Sequence, residues 1–343
     1  MTGVVGYSFG NFEVNAIAEF PIMPAGLEEE YTKLKPLPSA VTIASYNVLN
    51  LNPTSASANQ RATLGRHITE NLHSPDVIAL QEIQDNNGTV NDGTTDATLT
   101  LQALVDAIVE AGGPEYSFFD VAPVDGTSGG VPGGNIRNAF LYDTARVSLE
   151  SFESLTPDAL ADYGISNTDA FSGTRNPLLA TFSFGNEPFT VINNHLTSRF
   201  GSSPVFGGPQ PFIQAGEAER EAQVTTLNEV VKSILETDAK ARVIVLGDLN
   251  TFQFTNDISE LLAGIGEEQV LYNLVDRLQD DEVYTFNFEG NSQVLDHALV
   301  TKFVAQPQFD IVHVNVDFPR VDDTVGSDHE PLVLRLVLGA SAK

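Results

Sequence analysis

Cysteine is absent from this 343-residue chain. Disulfides, thiolate metal sites and cysteine nucleophiles are thereby excluded. The absence does not fix a compartment, but it suits a protein exposed to oxidants. Tryptophan is absent too and carries no functional reading. No apolar run approaches the length of a membrane span, so a soluble protein without a membrane partner is expected. Met1 is not followed by a charged-then-apolar signal segment, which fits a mature form or a piece of a longer precursor.

Positive charge is scarce. Lys and Arg total 17 against 46 Asp and Glu, for a formal charge of −29. A generic nucleic-acid binder is basic, because its affinity comes from phosphate contacts. Taken alone, the charge argues against nucleic acid. The acidic residues are spread along the whole chain, which reads as a solvated surface for saline or extracellular conditions. Each of the few arginines then becomes informative.

What is present is a normal hydrophobic share, 42%, and enough length for one large core or two ordinary ones. Residues 1–38 differ from the rest. Val4 to Phe9 reads as a strand; Pro21, Pro24, Pro36 and Pro38, with Glu28-Glu29-Glu30, read as an extended linker. This segment is expected to be the tail of an upstream domain plus a connection, with the main domain at 39–343.

From Val41 strands and helices alternate, and then strands dominate. Strands are predicted at Val41 to Tyr46, Asp76 to Leu80, Ile136 to Tyr142, Arg146 to Phe152, Leu178 to Phe184 and Phe189 to Asn194. Further strands are predicted at Val243 to Leu246, Val294 to Val300, Phe309 to Val316 and Leu332 to Leu336. Helices are predicted at Gln60 to Leu72, Leu99 to Val109 and Ala215 to Leu235, with loops at Asp85 to Asp96 and Phe200 to Pro211. No repeat at a solenoid period is found. Two sheets packed face to face with helices outside are expected.

Six short motifs terminate or interrupt apolar runs: Ser45-Tyr46-Asn47, Leu80-Gln81-Glu82, Asn193-Asn194-His195-Leu196, Gly247-Asp248-Leu249-Asn250, Leu295-Asp296-His297 and Gly326-Ser327-Asp328-His329. They supply hard oxygen ligands and imidazoles, the chemistry of metal-assisted phosphodiester hydrolysis. Asp248 and Asn250 are two apart, so on extended backbone both point to one face. His329 with Asp296 is the candidate acid/base pair, since a carboxylate on one imidazole nitrogen fixes the tautomer and raises basicity. Arg137 and Arg175 are candidate phosphate clamps. His67, His73, His297 and His313 are read as ordinary structural histidines. No exposed aromatic wedge stands out.

In order and spacing these motifs resemble the endonuclease/exonuclease/phosphatase family, over about Val41 to Leu338. Gln81-Glu82-Ile83-Gln84-Asp85-Asn86, Gly133-Gly134-Asn135-Ile136-Arg137, Arg175-Asn176-Pro177-Leu178 and the N-terminal Tyr7-Ser8-Phe9-Gly10-Asn11-Phe12 look like its secreted bacterial nuclease branch. The resemblance implies a four-layer α/β sandwich of two mostly antiparallel sheets flanked by helices. It implies Mg²⁺ or Mn²⁺, a secreted location and a substrate of DNA, with RNA second, cut without strong sequence preference.

Residue by residue, the resemblance makes Glu82 the main metal ligand, with Asn47 placing the metal or its water. Asp248 and Asn250 would hold the attacking water and stabilise the pentavalent phosphorus. His329 would activate water and Asp296 orient it; Asp328 would be a second metal ligand or accept from metal-bound water. His195 would protonate the leaving group or bind phosphate, and it tilts the reading away from abasic-site repair, where Asn stands at that place. The Arg-Asn-Pro at Arg175 departs from the Arg-Glu-Pro of pancreatic deoxyribonuclease. An equivalent of that enzyme's Glu partner for the first histidine is not placed.

A structural Ca²⁺ in the Asp85 to Asp96 loop is a further expectation, from its density of oxygen ligands, against the commoner reading as a solvated loop. A monomer is expected. The alternatives are a phosphodiesterase or phosphatase of the same fold acting on lipid or nucleotide phosphate esters, and a non-catalytic binding module.

Overall fold

The structure is a computed structural model, and it describes all residues except 9, 22, 24, 25, 205, 289, 319–325 and 339–343. Phe9 and Pro24, which the sequence reading used, lie outside the described residues, as does the end of the 39–343 domain.

Two six-stranded sheets form the centre. The first runs Gln308–Ile311, Leu332–Leu336, Val41–Leu51, Val77–Ile83, Arg137–Tyr142, Ser117–Asp120. The second runs Leu271–Asn273, Asp296–Thr301, Val243–Asp248, Glu187–His195, Leu178–Phe184, Ser148–Ser154. Each sheet has one parallel pair, Val41–Leu51 with Val77–Ile83 and Glu187–His195 with Val243–Asp248; the other pairs are antiparallel. The mostly antiparallel four-layer α/β sandwich expected from the sequence is the observed fold.

The layers follow from side-chain alternation. Val41 and Ile43 join Val77, Ala79, Val191, Ile244 and Leu246 in the core between the sheets. Ala44, Tyr46 and Val48 face the other way, onto Leu64, Leu101, Leu104 and Ile108 of helices Ala58–Arg66 and Thr98–Glu110. Ile192, Val243 and Val245 pack against Val224, Leu227 and Val231 of helix Glu217–Thr237. Strands buried on both faces read as continuous apolar runs, which is why they were visible in the sequence.

Parallel pairing is what positions the site. Two parallel strands leave the sheet at the same edge, so Asn47 stands opposite Gln81, and His195 opposite Asp248. The antiparallel neighbour starts at that edge, so Asp296 lies opposite Asp248. The same logic places His329 just before Leu332, which pairs with Ser45.

At the N-terminus, Gly3–Ser8 pairs with Asn11–Ala16 as an antiparallel hairpin. The segment at Glu28 to Pro38 runs without helix or strand, apart from a single bridge between Leu37 and Ala40, and is pinned to the domain. Glu29 pairs with Arg66, Thr32 N donates to Asn71 O over 2.9 Å, and Leu34 is buried in the core. His313 Nδ1 bonds Glu30 at 2.9 Å and its ring stacks on Tyr284, so its role is anchoring this strap. Among the described residues no helix is long and apolar enough to cross a membrane.

Candidate active site

Alternation carries Asn47, Gln81, His195, Asp248 and Asp296 onto the same inter-sheet face as the core residues Ile43, Ala79, Val191, Leu246 and Ala298, at its open rim. Glu82 has the wrong parity. Its backbone takes φ +64°, with a register shift between Leu80 and Ile83, and this brings its carboxylate back to the rim. Left-handed backbone at non-glycine residues recurs around the site, at Asn50 (φ 51°) and Asn250 (φ 51°). Such strain gathers where function over-determines the backbone. Behind the rim, Gly247 (φ +126°) is required, because a Cβ there would meet Asn194 O at 2.0 Å.

The polar tips converge. Asn47 Nδ2 donates to Glu82 Oε1 at 3.2 Å and to Asp248 Oδ2 at 3.1 Å. Glu82 Oε2 accepts from Asn50 N at 2.9 Å. His195 Nε2 is 3.5 Å from Asp248 Oδ2 and 3.9 Å from Glu82 Oε1. Asn250 N donates to Asp248 Oδ1 at 2.9 Å, and its side chain holds Leu196 O. His329 Nδ1 donates to Asp296 Oδ2 at 2.7 Å, and its Nε2 is 3.8 Å from Asp248 Oδ2. All but Glu82 are nearly fully buried.

Arg175 reaches the same rim. One Nη donates to Leu196 O at 2.6 Å, while its Nε is buried without a hydrogen-bond partner. Burial lowers its pKa; the Asp248 and Glu82 charges act the other way.

Two predicted site residues are placed otherwise. The Arg137 guanidinium is bound to Asp120, Thr95 O and Asn135 O, so most of its donors are engaged within the fold. It is a buried cation paired where the sheet meets the Asp85 to Asp96 loop. Asp328 is half-buried and belongs to neither acidic-histidine group at the rim; it acts on His329 by charge alone. The Asp85 to Asp96 loop is tied to the neighbouring chain by Asn135, whose Nδ2 donates to Thr94 O at 2.8 Å and to Asp85 Oδ2 at 3.2 Å.

Charge balance at the rim decides what fits there. The Asp248 carboxyl is raised to about 7, by burial first and by the Asp296 and Glu82 charges, against the pull of His329. His195 is held well below its usual range by burial, then by Arg175 and His329. His329 goes the other way: burial lowers it, but Asp296 and Asp248 outweigh burial and raise it well above. Ligand atoms of Glu82, His195 and Asp248 lie within 4.8 Å of one another, as do those of Asp248, Asp296 and His329. Crowded carboxylates with amide and imidazole donors suit a hard divalent cation, whose charge relieves their repulsion.

Supporting residues were not assigned roles from sequence. Ser327 Oγ donates to Asn47 O at 2.5 Å and accepts from His329 N at 3.1 Å, tying the first motif to the last. Thr285 Oγ1 accepts from the amides of Leu295 and Asp296. Ser327 lies inside a motif and was findable; Thr285 had no sequence signal.

The model of the Endonuclease/Exonuclease/phosphatase family matches residues 135–316, more than half of the chain. The chain belongs to the endonuclease/exonuclease/phosphatase family. The match leaves out Asn47, Glu82 and His329, which the fold brings to the residues inside it. Solved structures of the family share the fold. The human Nocturnin catalytic domain with bound sulfate anion is 17% identical, with TM-score 0.57 over 90% of this chain and 97% of its own. D. rerio TDP2 complexed with single strand DNA product is 19% identical, with TM-score 0.55 over 87% and 99%. A Bacteroides vulgatus endonuclease/exonuclease/phosphatase is 16% identical, with TM-score 0.56 over 87% and 99%. No curated protein matches the chain in sequence.

Proposed function

We propose that this family member is a divalent-metal-dependent nuclease that hydrolyses phosphodiester bonds of DNA, and of RNA second. The observation that carries the reading is the convergence of Asn47, Glu82, His195, Asp248, Asp296 and His329 on one rim. That D. rerio TDP2 was crystallised with single strand DNA product supports a nucleic-acid substrate.

Glu82 and Asp248, with the Asn47 amide, would hold the cation, Mg²⁺ or Mn²⁺. When bound, it polarises a phosphoryl oxygen and stabilises the leaving oxyanion. The remaining steps belong to side chains. Asp296 holds Nδ1–H of His329, so Nε2 is the basic nitrogen facing the rim and takes the proton of the attacking water. Asp248 and the Asn250 amide align that water and the phosphorus. His195, kept neutral by burial and Arg175, hydrogen-bonds the departing side, and Arg175 neutralises a non-bridging oxygen. The acidic surface and the lack of cysteine support export from the cell.

The test is incubation with supercoiled plasmid, with and without EDTA, with Mg²⁺, Mn²⁺ and Ca²⁺ compared. Nicked product that EDTA abolishes is expected. Turnover of small phosphate esters with intact plasmid at every metal would overturn the nuclease reading in favour of a headgroup or nucleotide phosphatase. Recovery of the protein only inside its native cells would count against export.

A further inference from the structure

We propose that Arg199, Phe252 and Phe254 form a stacking platform for one unpaired nucleobase beside the scissile phosphate. This deepens the nuclease reading and rests on it.

The platform is built where two loops leaving the rim meet. Arg199 follows His195 by four residues and Phe252 follows Asn250 by two. The Arg199 guanidinium lies 4.2 Å from the Phe252 ring centroid. Phe252 and Phe254 stack with centroids 5.4 Å apart and planes 23° apart. Phe252 therefore contacts both the guanidinium and the Phe254 ring, and Phe254 is 75% exposed. A lone exposed Phe is unremarkable on any surface. Three π-groups in pairwise contact, with Phe254 open to solvent, are a site prepared for a further ring.

Both loops are braced. His297 Nε2 is 2.9 Å from Thr251 O, and Thr251 Oγ1 is bonded to Asp257 at 2.9 Å and to Thr255 at 3.0 Å. Thr255 Oγ1 donates to Phe252 O, closing the turn that carries both rings. On the other loop, fully buried Arg220 donates to Thr197 O and Ser198 O, and Arg199 to Gln214. A platform held before binding loses little freedom when a ligand arrives.

Charge and reach select the occupant. In a chain of net charge −29, Arg175, Arg199 and Arg220 are gathered on the His195 side of the rim, with Asp257, Glu217 and Glu219 nearby. Guanidinium next to stacked aromatics fits a phosphate-linked base, since every base offers a π-face and its phosphate a negative charge. Four residues from Asn250 to Phe254 span at most about 14 Å, so the stacked base belongs to a nucleotide close to the cut. A base locked in a duplex cannot present its face; the platform therefore selects single-stranded or frayed substrate.

The experiment uses the full chain with Phe254→Ala and, as the aromatic control, Phe254→Tyr. An oligonucleotide carrying 2-aminopurine is titrated into EDTA-treated protein, and kcat/KM is measured with metal on single strands and on duplex of the same sequence. Quenching on wild type and Phe254→Tyr, lost in Phe254→Ala, is expected. So is a drop of about tenfold in kcat/KM for the single strand, carried by KM, with duplex cutting changed less. An unchanged single-strand preference together with unchanged quenching in Phe254→Ala would overturn the proposal. So would Phe254-dependent sedimentation with anionic vesicles but no oligonucleotide quenching, which would assign the platform to a lipid surface. If wild type cleaves no nucleic acid, the nuclease reading fails by itself; the quenching titration still decides the platform.

Discussion

Gln81 Nε2 donates a 2.6 Å hydrogen bond to Asn193 Oδ1 across the interface between the two sheets. Asn193 in turn donates to Leu80 O at 3.0 Å and Ala139 O at 2.9 Å, both on the opposite sheet. Both side chains are fully buried, one residue before Glu82 and two before His195. This polar bolt sets the spacing between the two halves of the site. Asn193→Ala takes a donor from two buried carbonyls and the shortest acceptor from the Gln81 amide, which keeps Ser45 Oγ at 3.2 Å, so a loss of about 2–4 kcal/mol is expected by denaturant unfolding. Turnover of the folded fraction should fall as well, because Glu82 and His195 lose their common reference. A variant with wild-type stability would show that the bolt is incidental.

Cation binding should be visible without catalysis. Saturating Mn²⁺ or Mg²⁺ is expected to raise the thermal midpoint of wild type by a few degrees, and of Glu82→Ala not at all. The sign of the pH effect follows from Asp248. Its folded pKa, about 7, lies above the 3.8 of an ordinary Asp. The folded state therefore holds the proton longer, and this stabilising contribution is present below pH 3.8 and lost as pH rises through 7. In EDTA at pH 8, Asp248→Asn should be more stable than wild type while being nearly inactive. A less stable Asp248→Asn would contradict the crowding argument.

The acid limb of the rate profile reports His329. The imidazole must be unprotonated at Nε2 to accept a proton, and the Asp296 charge raises its pKa. Asp296→Asn removes that charge, so the limb should move to lower pH while kcat falls about 100-fold, within the usual range for a general base and its support. His329→Ala should lose the limb altogether. A limb that stays in place in Asp296→Asn would point to another titrating group.

The two arginines read alike in sequence should separate in the laboratory. Arg137→Ala leaves Asp120 and two carbonyls without their cation, so about 2–4 kcal/mol of stability should go, with activity per folded molecule within about threefold. Arg175→Ala gives up its guanidinium hydrogen bond to Leu196 O and should keep stability within about 1 kcal/mol. Its rate on a phosphodiester should fall by about 100-fold. The reverse pattern would restore Arg137 to the site.

Strand positions were legible where both faces are buried: Leu178–Phe184 and Leu332–Leu336 match to the residue. The stretch from Phe309 to Val316 reads as one strand, yet it ends at Ile311. The amides of Val314, Asn315 and Val316 donate instead to the buried Glu330 carboxylate at 2.8, 2.9 and 2.8 Å. The helix from Gln60 to Leu72 is Ala58–Arg66 followed by a wider turn, His67–Asn71. Ser117–Asp120, Leu271–Asn273 and the Phe286–Phe288/Asn291–Gln293 hairpin were not anticipated, because strands of three or four residues carry too little pattern and exist through their partners.

By itself the sequence determined which residue types stand at the ends of the strands, and with them the family and the chemistry of the rim. Tertiary structure decided which of those groups share a cavity. Two equivalent-looking guanidiniums are told apart by their partners, the Asp120 carboxylate for Arg137 and only the Leu196 carbonyl for Arg175, whose Nε has no partner. Glu82 entered the site through a left-handed backbone that alternation does not predict. Phe254 was exposed by a loop packed with a neighbour more than 50 residues away in the chain. Composition and period report on one strand at a time. Burial and charge pairing depend on distance, and distance between remote segments exists only once the sheets have closed on each other.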